Sequence, residues 1–222
     1  MIYFKKEDLA IRYVSTTTRL FCTEPEYLSV SVWQHVELSV TALFIAVIIG
    51  MPLGYLGYKY KVARFLTSGV TQALRVVPSL GILFLLIPFV GVGSFPALIA
   101  LVILAVPPIL VNTILGFSEV SETLLETGLG LGMSEGQLFT RVSFPLALPH
   151  ILNGLKLALI EVIASATLAT YIGAGGLGSL IFTGLGLYRI DLLLIGGGSV
   201  ALLSFVSMLG FDLFIMRMQY EK

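Results

Sequence analysis

The sequence predicts an all-α membrane protein with five crossings and one cytoplasmic insert, and three observations lead there. Of 222 residues, 57% are hydrophobic and 12% charged, with a mean hydropathy of +0.99; a soluble domain carries about a quarter charged. The uncharged residues come in runs that match or exceed the ~20 residues a helix needs to span a bilayer. One stretch breaks the pattern: ETGLGLGMSEGQLFTRVSFPLALPHI at 126–151 is punctuated by glycine, flanked by carboxylates and closed by proline.

The first run, 38–58, lies between Glu37 and Lys59 and gives one crossing. The second, 76–118, is about twice the required length and is broken by GVGSFP at 91–96, so it reads as two crossings joined by a tight turn. A fourth crossing starts near Pro149, which a first helical turn tolerates, and runs to Ile172 with Lys156 and Glu161 inside it. Residues 173–191 read as a Gly-rich connector and 192–211 as the fifth crossing. The resulting organisation is a tail at 1–34, a membrane domain at 35–216 with its insert at 119–150, and a short tail at 217–222.

Lys and Arg in short loops stay on the cytoplasmic side. Lys59, Lys61, Arg64 and Arg75 follow the first crossing, Arg141 and Lys156 flank the insert, and Arg217 and Lys222 lie at the C-terminus; the two opposite loops offer Arg189. The expected orientation is N-terminus outside and C-terminus cytoplasmic, against which stand Lys5, Lys6, Arg12 and Arg19 in the tail. The acids Glu7 and Asp8 interrupt the N-terminal stretch, arguing against a cleaved signal peptide.

Several function classes recede. A zero formal net charge points to neither nucleic acid nor an acidic partner, and the lone Cys22 excludes a disulfide framework within the chain. No GxxxxGK[ST] loop occurs, so the chain does not cradle ATP phosphates by that route. GAGGLG at 173–178 fits a dinucleotide pattern but follows a membrane helix rather than a strand, and reads as a turn. His35 and His150 have no cysteine or carboxylate at ligand spacing, so no metal site, cofactor site or catalytic residue is assigned.

Within the membrane, Gly50 and Gly54 form a GxxxG pair, and Ala164, Ser165, Ala166, Thr167 and Ala169 cluster; small residues let helix backbones approach. Pro52, Pro78, Pro107 and Pro108 predict kinks or breaks. Glu161 is costly midway along a membrane helix and is a pathway candidate, with Asn112 as its polar neighbour. It either faces a cationic solute or accepts hydrogen bonds from Ser165 or Asn112. Asp212 is expected to pair with Arg217 or water.

In the insert, Glu119, Glu122 and Glu126 suit the positive end of a helix dipole at 121–131. Gly132 offers a left-handed stop, Ser134 to Gln137 is a capping-box pattern for a second short helix, and Pro145 and Pro149 end it. Two short helices on the cytoplasmic side need a surface to bury against, and a partner protein supplies one.

Glu126-Thr-Gly, then Gly132, then nine residues to Val142-Ser-Phe-Pro145 resemble the EAA motif of permease subunits of bacterial ABC importers, with Thr127 and Gly128 at its alanines. More narrowly, RVVPSLGILFLLIPFVGVG, VPPILVNTILGF, LPHILNGLKLALIEVIASATLATYIGAGGLG and FTGLGLY resemble the osmoprotectant branch. The resemblance covers about 35–216 and implies a five-helix type I importer core in the plasma membrane. It implies that Glu126, Gly128, Gly132, Val142 and Pro145 belong to a coupling helix seated in a groove of a cytoplasmic ATPase dimer, where ATP and Mg would reside. It also implies a second permease copy and an extracytoplasmic binding protein delivering glycine betaine, choline, carnitine or a similar solute. Rival readings are an amino-acid or methionine importer permease, a stand-alone secondary transporter, and an intramembrane hydrolase.

Overall fold

The computed structural model describes residues 25–220, and every regular element among them is helical. The expected tail, with Cys22 and its four basic residues, lies outside the described residues as far as residue 24. The first helix, α1 (Pro25–Lys59), begins well before the run at 38–58. Helical hydrogen bonds are indifferent to side-chain charge, so Glu26 sits in its first turn and the boundary expected at 34 falls inside a helix.

The second crossing differs most from expectation. The segment after α1 forms α2 (Lys61–Val76) rather than a loop, and α3 (Ser79–Val90) has 12 residues, about 18 Å against a hydrocarbon core of ~30 Å. Between them Val77 is extended (φ −75°, ψ 124°), as a residue before proline must be, and the two axes bend by 96°. The crossing expected from residue 76 onward is therefore a broken span, in which α2, carrying Lys61 and Arg64, is joined to the apolar α3 instead of one straight helix.

At Gly91 and Gly93 positive φ values of 87° and 116° make the expected tight turn into α4 (Ser94–Ser118), which carries Pro107 and Pro108 without interruption. The insert supplies α5 (Glu122–Gly130) and α6 (Glu135–Leu138), followed by a π-helical turn (Phe139–Ser143) and α7 (Phe144–Ala169). Pro145 and Pro149 do not end the second short helix as expected. Pro145 stands in the first turn of α7, where an N–H is dispensable, and the wider π turn before it relieves the clash of a proline ring with the preceding turn. Helical structure thus runs unbroken from Glu135 to Ile172.

The connector at 173–191 also holds a helix, α8 (Gly178–Gly186), before α9 (Ile190–Tyr220). Glycines at 173, 175 and 176 have φ between +75° and +83°, making GAGGLG the turn between α7 and α8. The C-terminal tail expected from 217 continues α9 as far as residue 220.

α4 is the centre of the bundle, packed between α1 and α7. A Cβ on Gly50 would meet Ile109 at 3.0 Å and one on Gly54 would meet Thr113 at 2.6 Å, so the GxxxG pair marks where α1 lies against α4. Gly154 of α7 plays the same part against Asn112, with 2.7 Å to a Cβ. The core between these helices is rich in alanine: Ala42, Ala46, Ala97, Ala100, Ala105, Ala158, Ala166 and Ala169 are all buried.

These contacts fix direction. Glu37 shares a cavity with Ser94, while Gly57 lies beside Ile114, so α1 and α4 run parallel and the chain must recross through the α2–α3 pair. α7 returns, the Ile172 carbonyl in the 3-10 turn just past its end accepting from Gly93 N–H, and α9 descends until Asp212 meets Lys156. Five traverses result, four by long helices and one by the broken span, with the two ends of the described chain on opposite faces.

Candidate functional site

α5 ends in a Schellman motif. Met133 N–H donates to Gly128 O (3.1 Å) and Gly132 N–H to Leu129 O (2.9 Å), with Gly132 left-handed at φ +82°. Ser134 then caps α6 with a full capping box: its hydroxyl accepts from Gln137 N–H (3.3 Å), and Gln137 Oε1 accepts from Ser134 N–H (3.0 Å). The stop and start expected of the sequence make a helical hairpin. Gly128 is buried because a Cβ there would fall 2.6 Å from Leu138 Cδ1 and 3.3 Å from Met133 Sδ. Glycine at this alanine-like position lets the two short helices close.

The hairpin shows its outer face to solvent. Leu124, Leu129 and Leu131 are exposed, the last at 79%, among Glu122, Glu126, Glu135 and Arg141. Glu126 makes no ion pair or side-chain hydrogen bond among the described residues. Val142 is half-buried in the π turn and Pro145 half-buried just beyond it, at the joint with α7. The predicted coupling residues therefore divide: Gly128, Gly132 and Pro145 shape the hairpin and its joint, while Glu126 points outward.

Sequence reasoning missed what fastens this hairpin to the bundle. Phe117 at the end of α4, 3% exposed, stacks on Phe139 (centroids 5.8 Å) and on Tyr58 (5.6 Å), and meets Tyr55 edge-on (5.1 Å). Phe139 in turn contacts Tyr55 at 5.2 Å and Phe144 at 6.0 Å. The i, i+3 spacing of Tyr55 and Tyr58 at the charged end of the first run was the available signal. Arg64 adds a polar clasp, donating to the carbonyls of Gly57 (3.2 Å) and Tyr58 (3.3 Å) and to Ser118 Oγ (3.4 Å). His150 Nε2 lies 2.8 Å from Glu119 Oε2, tying α7 to the end of α4; the two are far apart in sequence, which hid the pairing.

Asp212 pairs with Lys156 Nζ at 2.6 Å across α7 and α9, a partner not expected from the sequence. Two opposite charges in otherwise apolar runs were the clue, since each relieves the other's cost in lipid. Arg189, a basic residue on the opposite face, is bound by Asp191 (2.7 Å), whose hydrogen bond raises the guanidinium pKa above its ordinary value.

Glu161 is exposed at a cavity of about 540 Å³ whose walls include Leu104, Pro108 and the α2–α3 break at Val77 and Pro78, with buried Ser165 one turn away. Asn112 is not on that wall. Its amide donates to Pro108 O on its own helix (2.8 Å) and its Cβ packs at Gly154, about two turns along α7 from Glu161. A second cavity of about 470 Å³ opens at the opposite end from the hairpin, between Gln34, Glu37, Phe95 and Gly173. No cluster of three or more His, Cys, Asp or Glu able to hold a metal occurs among the described residues.

Residues 42–220 match the profile of the binding-protein-dependent transport system inner membrane component. The chain is 47% identical over 180 residues to a carnitine transport permease protein of Listeria monocytogenes, covering 81% of this chain and 82% of that one. It is 38% identical over 174 residues to a choline transport system permease protein of Bacillus subtilis, covering 78% and 80%. In three dimensions it is similar to a chain of the MetNI methionine ABC transporter in an inward-facing conformation, with TM-score 0.78, 23% identity, and coverage of 88% and 99%.

Proposed function

This chain belongs to the family of binding-protein-dependent transport system inner membrane components, a multi-pass membrane protein family, and on that premise we propose that it forms part of the pathway of an ABC importer for a small quaternary-ammonium solute such as carnitine, choline or glycine betaine. The observation that carries the reading is the helical hairpin at 122–138. It is rigidly stopped, fastened by an aromatic cluster, and presents leucines and carboxylates away from the bundle. Such a surface suits a groove on a cytoplasmic ATPase, with Glu126 meeting the partner while Gly128, Gly132, Val142 and Pro145 hold the shape that docks. ATP and Mg would bind to that ATPase. A second permease copy would complete the pathway, and an extracytoplasmic protein would deliver solute. Under this reading the hairpin end and the C-terminus are cytoplasmic, which agrees with Lys59, Lys61, Arg64 and Arg141 lying there. Glu161 and Asn112 are pathway candidates at two levels of the bundle rather than one site.

ATP-driven uptake in proteoliposomes holding permease, ATPase and binding protein tests the reading. Concentration of radiolabelled carnitine, choline or glycine betaine is expected. Uptake of methionine instead would move the chain to the amino-acid importers, and uptake without the ATPase would make it a secondary transporter. For Glu161, Glu161→Gln at normal membrane abundance is expected to lower uptake severalfold, and unchanged uptake would remove it from the pathway.

A further inference from the structure

The cavity at the end opposite the hairpin has a composition that the coupling role does not use. It measures about 470 Å³, within the range of small-molecule sites, and is walled by α1, the start of α4 and the glycine turn after α7. Glu37 stands in its wall, exposed, at the edge of the uncharged run that follows, and makes no ion pair among the described residues. The described basic side chains offer it nothing: Arg189 is bound to Asp191 and Lys156 to Asp212, while Lys59, Lys61, Arg64, Arg141 and Arg217 lie toward the hairpin end. Phe95, 65% exposed, lines the same space. The wall is held firmly, since Gln34 Oε1 accepts from Gly176 N–H (3.2 Å) and His35 Nε2 lies 3.0 Å from Ile163 O.

We propose that this cavity is a reception site for the cationic end of the solute, with the Glu37 carboxylate as counter-charge and the Phe95 ring as an apolar, cation-attracting wall. The mouth mixes polar Gln34, Thr41 and Ser94 with apolar Leu38, Phe95 and Leu98, and within a cleft walled by protein the Glu37 carboxylate draws cations toward it. One carboxylate beside an aromatic ring is poorly suited to a divalent metal, which needs several oxygen ligands. It suits a quaternary ammonium, which offers no hydrogen-bond donors and is held by charge and by ring faces. The site rests on the quaternary-ammonium reading above and adds to it a place in this chain where the cation is received before entering the membrane.

The test uses the assembled transporter in proteoliposomes with saturating binding protein, comparing choline, a net cation, with glycine betaine, a zwitterion. Glu37→Gln is expected to lower the maximal choline uptake rate by about tenfold, with a smaller loss for glycine betaine, because a neutral amide gives up the direct attraction. Glu37→Asp is expected to recover most of the choline rate. Phe95→Ala is expected to lower choline uptake where Phe95→Tyr retains it. Membrane abundance and subunit recovery are measured beside each rate, and the ratio of choline to glycine betaine uptake is read within each variant, so that poor folding, which lowers both alike, is separated from loss of the site. Choline uptake by Glu37→Gln within twofold of wild type, or an equal loss on both solutes, overturns the proposal. Wild-type transporter that moves none of choline, glycine betaine and carnitine overturns the quaternary-ammonium reading itself, and the reception site falls with it; one that moves carnitine with no loss in Glu37→Gln overturns the reception site alone.

Discussion

Gly132 offers the sharpest test of the hairpin. Its φ of +82° closes the Schellman motif, and no heavy atom lies within 4 Å of where a Cβ would stand. A side chain there meets empty space, so the entire cost of substitution is backbone. An L-residue held left-handed costs about 1–2 kcal/mol, less for asparagine and more for a β-branched residue. That is about a 5- to 30-fold shift toward an open hairpin. The two hydrogen bonds of the motif should loosen together, since both depend on the same residue. Hydrogen–deuterium exchange over 128–138 in the purified permease is expected to accelerate in the order Gly, Asn, Ala, Val, and recovery of the ATPase on co-purification should fall in that order. If the Gly132→Val protein exchanged and bound ATPase like wild type, or if Gly132→Asn were worse than Gly132→Val, the left-handed stop would not be what holds the coupling surface.

Packing supplies three further tests. Phe117→Ala removes the ring at the centre of the aromatic cluster, and burial of that size is worth about 3–5 kcal/mol; protease nicking within 119–150 should rise and uptake fall, while unchanged cleavage would show the hairpin is anchored elsewhere. Gly178→Ala places a Cβ onto the Thr167 carbonyl and should destabilise by about 1–3 kcal/mol in thermal unfolding. Gly197→Ala, with open space around it within a helix, should be neutral or stabilising by up to about 1 kcal/mol, and equal effects at the two positions would contradict the packing described. For the Lys156–Asp212 pair, Lys156→Met alone should cost more than Lys156→Met combined with Asp212→Leu, because the single change strands a carboxylate. Asp212 is partly exposed, so the loss should fall between the ~0–1 kcal/mol of a surface pair and the ~3–5 kcal/mol of breaking a buried one; a double variant less stable than the single would refute it.

What the sequence by itself determined were the features carried by short-range chemistry. The number of traverses follows from run length against bilayer thickness, and the stop at Gly132 and the capping box at Ser134 follow from residues within a few positions of each other. The GxxxG at Gly50 and Gly54 was legible as a packing face, though not which helix it faces. Tertiary structure decided the rest. Whether α3 crosses alone or shares the crossing with α2 across a 96° bend depends on what the two helices pack against, and Pro78 signalled a break without giving its angle. Pro145 and Pro149 read as terminators because a missing N–H and a ring clash with the preceding turn are local effects, yet the helix runs through both, with a π turn before Pro145. The clasp of Tyr55, Tyr58, Phe117 and Phe139, the Lys156–Asp212 pair and the cavity around Glu37 and Phe95 each join residues brought together by helix packing. A one-dimensional pattern records which face of a helix is apolar, but not which distant face it meets, and that meeting is where charges find partners and cavities take their walls.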